Sequence, residues 1–155
     1  MNEHGFIARG GMWVTAQLLV MAAGAALGPL CAGVQRTHAT NRAGSALMVL
    51  GAVFAVAGTV ALGRHTSAFP RPSENTKLVR HGIYQWVRHP MYASLMMVAL
   101  GWALLWLSWP ALLAAIALIV LLDRKAQREE QWMTGQFAEY GDYRRATKRY
   151  VPWVF

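Results

Sequence analysis

The chain has 155 residues, 55% of them hydrophobic and only 14% charged, with 15 Lys and Arg against seven Asp and Glu for a formal net charge of +8. An average soluble domain carries about 25% charged residues. Here the charges avoid long apolar runs, which indicates a single membrane domain over residues 1–155 rather than a soluble basic protein. The positive excess flanks apolar segments, so it points to topology and anionic lipid headgroups and away from nucleic acid.

The first apolar segment covers residues 12–34. As a helix its 23 residues rise about 34 Å, enough to cross a hydrocarbon core of about 30 Å with some tilt. It is longer than the apolar core of a typical signal peptide, so it reads as a span and not a cleaved leader. Gly28-Pro29 is expected to kink it near one end. Cys31 lies in this run; as the single cysteine it excludes an internal disulfide and a Cys-based zinc site, and it reads as a small buried apolar residue. After a polar turn at 35–42, a second span is expected at 43–62, about 30 Å long as a helix. Gly44, Gly51, Ala55 and Gly58 offer small residues for close helix contact.

Residues 63–88 form the longest polar segment. It contains Arg64, Arg71, Lys77, Arg80 and Arg88 against Glu74 alone, and Pro70 and Pro72 prevent a long helix. A connection of this length in a small protein is more often functional than filler. The apolar stretch 91–122 would rise about 48 Å, too long for one span. Leu107-Ser108-Trp109-Pro110 is the natural break, with Pro110 suited to a first helical turn. A hairpin of spans at 91–107 and 110–133 follows. The apolar part of the fourth covers only about 18 Å, so that helix must run on through the charged residues 123–130. Charges at that depth are costly unless they face a cavity or a ligand.

Four spans put both termini on one side of the membrane. That side holds 13 of the 15 Lys and Arg; the opposite side holds Arg36 and Arg42. The positive-inside rule then predicts cytosolic termini, long loop and charged helix end. The expected fold is an all-α integral membrane protein of four transmembrane helices with a cytosolic pocket, in a bacterial-type inner (plasma) membrane.

Arg88-His89-Pro90-Met91-Tyr92 would then meet the end of the fourth helix on one face. Pro90 fits the first helical position with His89 near the N-cap, where free N–H groups favour an anion. The alternative is a capped helix start with His89 bonded to backbone. Tyr84, Trp86 and Tyr92 are either interfacial aromatics or the wall of a pocket for a cationic or planar ligand. Lys125 and Glu129 share a helix face four residues apart, either as a solvated pair or as ligand contacts. The five histidines lack a metal-ligand spacing, no dinucleotide fingerprint is present, and spans one to three carry no Asp or Glu that would suit an ion pathway.

Gly82-x-Tyr84-x-x-x-Arg88-His89-Pro90-x-Tyr92, the apolar hairpin, Glu129-Glu130, Phe137 and the spaced Tyr140 and Tyr143 together resemble the isoprenylcysteine carboxyl methyltransferase family, itself grouped with phospholipid N-methyltransferases. The resemblance covers roughly residues 69–152. It implies an integral membrane methyltransferase that uses S-adenosylmethionine without a Rossmann domain. It implies cofactor contacts from Lys77, Leu78, Val79, Tyr84, His89, Pro90, Met91, Tyr92 and Glu129. Substrate contacts fall to Lys125, where many members have arginine, and to the adjacent Arg124; lysine lacks the bidentate fork for a carboxylate. Two lesser departures are Ala93-Ser94, where glycine is common, and a shortened segment at 137–140. The acceptor would be lipophilic and enter from the bilayer, with membrane lipid as the other partner. Carboxyl O-methylation is the leading expectation. N- or S-methylation of a lipid or small molecule, a membrane reductase of related fold, and a non-enzymatic scaffold are the alternatives. A carboxylate, with a pKa of about 4, is already ionised, so no catalytic residue is required beyond alignment and desolvation.

Overall fold

The computed structural model describes residues 10–63 and 78–151. These form five α-helices: α1 (Gly11–Leu30), α2 (His38–Leu62), α3 (Pro90–Trp106), α4 (Trp109–Gln136) and α5 (Tyr140–Ala146), with a short 3₁₀ turn at Gly82–Gln85. The one strand-like feature among the described residues is a parallel bridge between Val87 and Lys148.

The boundaries follow local chemistry. α1 ends at Leu30 rather than continuing to residue 34, one residue past Pro29, and the Cys31 N–H closes the last turn on the Leu27 carbonyl. The chain beyond is irregular, and Cys31 is exposed rather than buried because it falls past the packed part of the helix. α2 starts five residues before the expected 43, because Thr37 and Thr40 form a reciprocal capping box. The hairpin break falls where expected. Leu107 adopts a left-handed conformation (φ 49°), and the Ser108 hydroxyl accepts from the Ala111 N–H. Ser108 also donates to the Leu27 carbonyl at 2.9 Å, and the Gly33 N–H donates to the Trp106 carbonyl at 2.9 Å, so the end of α1 is stitched to the hairpin turn.

α1 and α2 are each long and apolar enough to cross a membrane, whereas α3, at 17 residues, is a shorter apolar helix. α4 is apolar over its first half and charged over its second. The hairpin α3–α4 is central: α2 packs along α3, and α1 lies against α4 and α3. The α2–α3 contact depends on small residues. A Cβ at Gly44 would lie 2.6 Å from the Gly101 carbonyl oxygen, and one at Gly101 would lie 2.6 Å from that of Gly44. Gly51 meets Val98 and the Ser94 carbonyl in the same way, and Gly58 meets Met91. Three glycines at seven-residue intervals thus let two helices approach backbone to backbone. At the other end of the hairpin, Ala93, Met96, Leu118, Leu122, Ala126 and Tyr150 form the buried core.

Candidate active site

Residues 86–89 are held at the entry to α3 by pairing with the C-terminal segment. The Arg88 N–H donates to the Lys148 carbonyl (2.8 Å), the His89 N–H to that of Arg149 (3.0 Å), and the Lys148 N–H to that of Trp86 (3.1 Å). His89 is the N-cap and Pro90 opens the helix. The N–H groups of Arg88 and His89, just before the first helical turn, are thus engaged by the chain's own C-terminal segment. His89 and Tyr92, three apart on the first turn, stack with ring centroids 5.2 Å apart and planes within 2°.

The two carboxylates of the Glu-Glu pair have different surroundings. Glu129 is partly open, its side chain 28% exposed, and accepts from the Tyr92 hydroxyl at 2.8 Å; its Oε2 is 3.9 Å from His89 Nδ1. Glu130 is 3% exposed. Its Oε1 accepts from Arg88 Nε (3.0 Å) and lies 3.2 Å from His89 Nε2. Arg149 donates to both of its oxygens at 3.3 Å, and Arg144 is 3.6 Å away. Arg149 continues to Asp123 at 3.1 Å, which also accepts from the Tyr150 hydroxyl at 3.1 Å. A buried carboxylate costs several kcal/mol unless it is paired and fully hydrogen-bonded, and this cluster supplies that pairing. Of the charges that the sequence placed at awkward depth on α4, Asp123 and Glu130 are thus met by the protein's own C-terminal segment.

Below this cluster the Tyr143 hydroxyl donates to the Tyr84 carbonyl at 2.7 Å. Burial pushes the Tyr143 hydroxyl up to about 12, against the opposing pull of the Arg88 and Arg80 charges. Burial likewise raises Tyr84, Tyr140 and Tyr150 well above 10. These phenols remain donors at any physiological pH.

Of the residues expected at the cofactor, His89, Tyr92 and Glu129 come together directly. Tyr84 is buried, within electrostatic reach of Glu129. Leu78 and Val79 are half-buried in the irregular segment leading to the 3₁₀ turn, while Lys77 lies outside the described residues. Pro90 and Met91 turn toward α2: Met91 Sδ is 3.6 Å from Thr59 Oγ1, and both residues lie against Gly58. Trp86 is 48% exposed and stands apart from Tyr84 and Tyr92 in burial. Lys125 is buried and donates to Gln17 Oε1 at 2.9 Å, with its ammonium 5.2 Å from the Tyr92 ring centroid. Arg124, the other expected substrate contact, is exposed.

Sequence reasoning missed Glu130 as the centre of the cation cluster, along with Asp123, Arg149 and Gln17. An aspartate closing an apolar run and a glutamine inside a span were available signals; the partners come from segments far apart in sequence. Beside the site an apolar groove of about 240 Å³ opens between α1, α3 and α4, lined by residues including Val20, Met21, Leu95, Ala99, Trp102 and Leu118.

Comparison with known proteins places this architecture in a family. The family model for phospholipid methyltransferases matches residues 40–140, well over half of the sequence, and the chain belongs to that family. The solved structure of the eukaryotic intramembrane Ras methyltransferase ICMT (isoprenylcysteine carboxyl methyltransferase) matches with a TM-score of 0.69 at 18% identity, over 99% of this chain and 55% of that one. The chain therefore has the same fold over about half the length of that relative. No curated protein sequence matches it. The resemblance read from the Arg-His-Pro-x-Tyr and Glu-Glu motifs stands at the level of this family group.

Proposed function

We propose that the protein transfers a methyl group from S-adenosylmethionine to the polar end of a lipophilic acceptor, carboxyl O-methylation of the isoprenylcysteine type being the first reading. The observation that carries the site is the contrast between the two glutamates. Glu130 is consumed by structure, whereas Glu129 is open at the edge of a His89–Tyr92 stack. A carboxylate beside aromatic faces suits a ligand with a positive centre, and the half-buried Leu78 and Val79 lie at the same end of the fold. His89, Tyr92 and Glu129 would hold the cofactor, with Tyr84 and backbone from 77–79 and 90–91 completing the wall. When bound, S-adenosylmethionine supplies an electrophilic methyl group on a sulfonium.

The chain's own contribution is alignment and exclusion of water. Tyr92 fixes Glu129 through its hydroxyl, and Glu130 fixes His89 through Nε2. A carboxylate acceptor arrives ionised, so the residues need only orient it and strip its water. The family match favours a second reading, methylation of a phospholipid amine. We place four helical segments across the membrane with both termini cytosolic, on the strength of the Lys and Arg distribution and the helical hairpin. A bacterial-type inner membrane is the location this reading implies.

The test is to incubate detergent-purified protein with S-adenosylmethionine carrying a labelled methyl group and a membrane lipid extract, then identify the labelled product. His89→Ala and Glu129→Gln should each weaken cofactor binding by more than about tenfold in calorimetry, the weight of one charge-assisted contact. Unchanged affinity in both would remove the site assignment.

A further inference from the structure

Beyond the end of the apolar groove nearer Tyr92, each of its three helices carries a polar residue on the continuation of its lining face, one turn on along α1 and α3 and two turns on along α4. On α1, Gln17 precedes Val20 and Met21; on α3, Tyr92 precedes Leu95; on α4, Lys125 follows Leu118 and Leu122 at helical spacing. Gln17 is used at both ends. Its Oε1 accepts from Lys125 Nζ at 2.9 Å, and its Nε2 points at the Met21 sulfur, 3.9 Å away in the groove wall. Because an ammonium can only donate, the Lys125 contact also settles which way the amide faces. Lys125 is 2% exposed, and its charge sits above the Tyr92 ring. Gln17 lies inside the apolar α1, and Lys125 lies three residues past the apolar half of α4 yet is 2% exposed; polar groups held at that depth are costly in lipid and characteristically mark a ligand path.

We infer that Gln17 is a specificity-determining residue: it holds the Lys125 ammonium at the mouth of the apolar groove, and the pair selects an acceptor whose apolar chain is followed by an anionic group, carboxylate or phosphate. The inference rests on the methyl-transfer reading for what becomes of the bound molecule, but the binding preference does not. An apolar chain in the groove brings its first polar atoms to the level of Gln17, Lys125 and Tyr92, one turn from Glu129. A positive charge there rewards a negative headgroup and leaves a neutral one with a desolvation cost. Lysine acts as a point charge that accepts carboxylate or phosphate alike, where arginine would favour a planar fork. In this chain, α1 supplies through Gln17 a fixed carboxamide that positions the lysine.

The test uses the full chain in neutral detergent at pH 8.5, with 12-doxyl-stearate and its methyl ester as probes of equal chain and different charge. Binding is read as the part of the tryptophan quenching that Trp102→Phe abolishes. The acid should bind the wild type about tenfold more tightly than the ester, the size of one charge-assisted contact. Gln17→Glu keeps a hydrogen-bonding partner for Lys125 but cancels its charge. It should bring the acid within about twofold of the ester and leave the ester's affinity unaltered, and Lys125→Met should do the same. A residue with a merely structural role would leave Gln17→Glu behaving as the wild type. That result, or equal binding of acid and ester to the wild type, overturns the inference. Displacement of the bound acid by S-farnesyl-N-acetylcysteine supports a carboxylate acceptor, and displacement by phosphatidylethanolamine a phosphate-bearing one. Displacement by neither, where unlabelled stearate succeeds, overturns the groove as an acceptor site. S-adenosylmethionine affinity, measured in parallel, should be unchanged in Gln17→Glu; its absence in the wild type would remove the methyl-transfer reading while the acid–ester preference still decides this one.

Discussion

The α2–α3 contact and the Glu130 cluster hold the molecule together by opposite means. Between the helices, Gly44 and Gly101 face each other so closely that neither has room for a Cβ, and the stabilisation is van der Waals contact between backbones. Around Glu130, three arginines and a histidine from separate segments surround one buried carboxylate. The first interface tolerates no added atom, whereas the second tolerates no lost charge. The two regions meet at the start of α3, where Gly58 packs on Pro90 and Met91 while the preceding residue, His89, faces Glu130. Apolar packing thus sets the position of the helix, and the charged cluster sets the orientation of its first side chain.

Breaking the charged region should have the largest effect. Glu130→Gln leaves Arg88 without its counter-charge and Arg149 with Asp123 alone, and a loss of about 3–5 kcal/mol is expected for a broken buried pair. It would appear as a sharply lowered midpoint in detergent thermal unfolding. Gly101→Ala should cost about 1–3 kcal/mol by overpacking against the Gly44 carbonyl and Met48, readable in the same assay. Tyr143→Phe removes the donor to the buried Tyr84 carbonyl and should cost about 1–3 kcal/mol.

The tyrosines also predict alkaline sensitivity. A hydroxyl whose folded pKa is raised from 10.0 to about 12 favours the folded state fully below pH 10, and the contribution is lost as pH rises through 12. The thermal midpoint should therefore fall between those values, and Tyr143→Phe should make that fall shallower. At the small end, Gly135→Ala lies on α4 where a Cβ meets nothing within 4 Å. It should be neutral or stabilise by up to about 1 kcal/mol through helix propensity. A cost as large as that of Gly101→Ala would remove the claim that close approach, rather than helix position, makes the glycines necessary.

Much of the frame was legible in the residues. Hydropathy located the four helical segments, Pro110 and Ser108 marked the hairpin, and Pro90 opened α3 with His89 as its cap. Gly44, Gly51 and Gly58 announced close helix contact because spacing along a helix already defines a face. The boundaries of α1 and α2 moved by four and five residues because caps at Cys31 and Thr37 override hydropathy. The candidate site was half legible. His89, Tyr92 and Glu129 come together much as the motif implied, since each lies at a helix position that the hairpin brings opposite the other.

What sequence alone determined was therefore whatever depends on neighbours within one helix: composition, period, caps and the small-residue face. Tertiary structure decided which of two adjacent glutamates is buried in the cation cluster and which stays open. It also paired Lys125 with Gln17 across 108 positions of chain. These choices depend on distances between segments, and a buried charge takes whichever partner the fold delivers because leaving it unpaired costs more than almost any local preference returns.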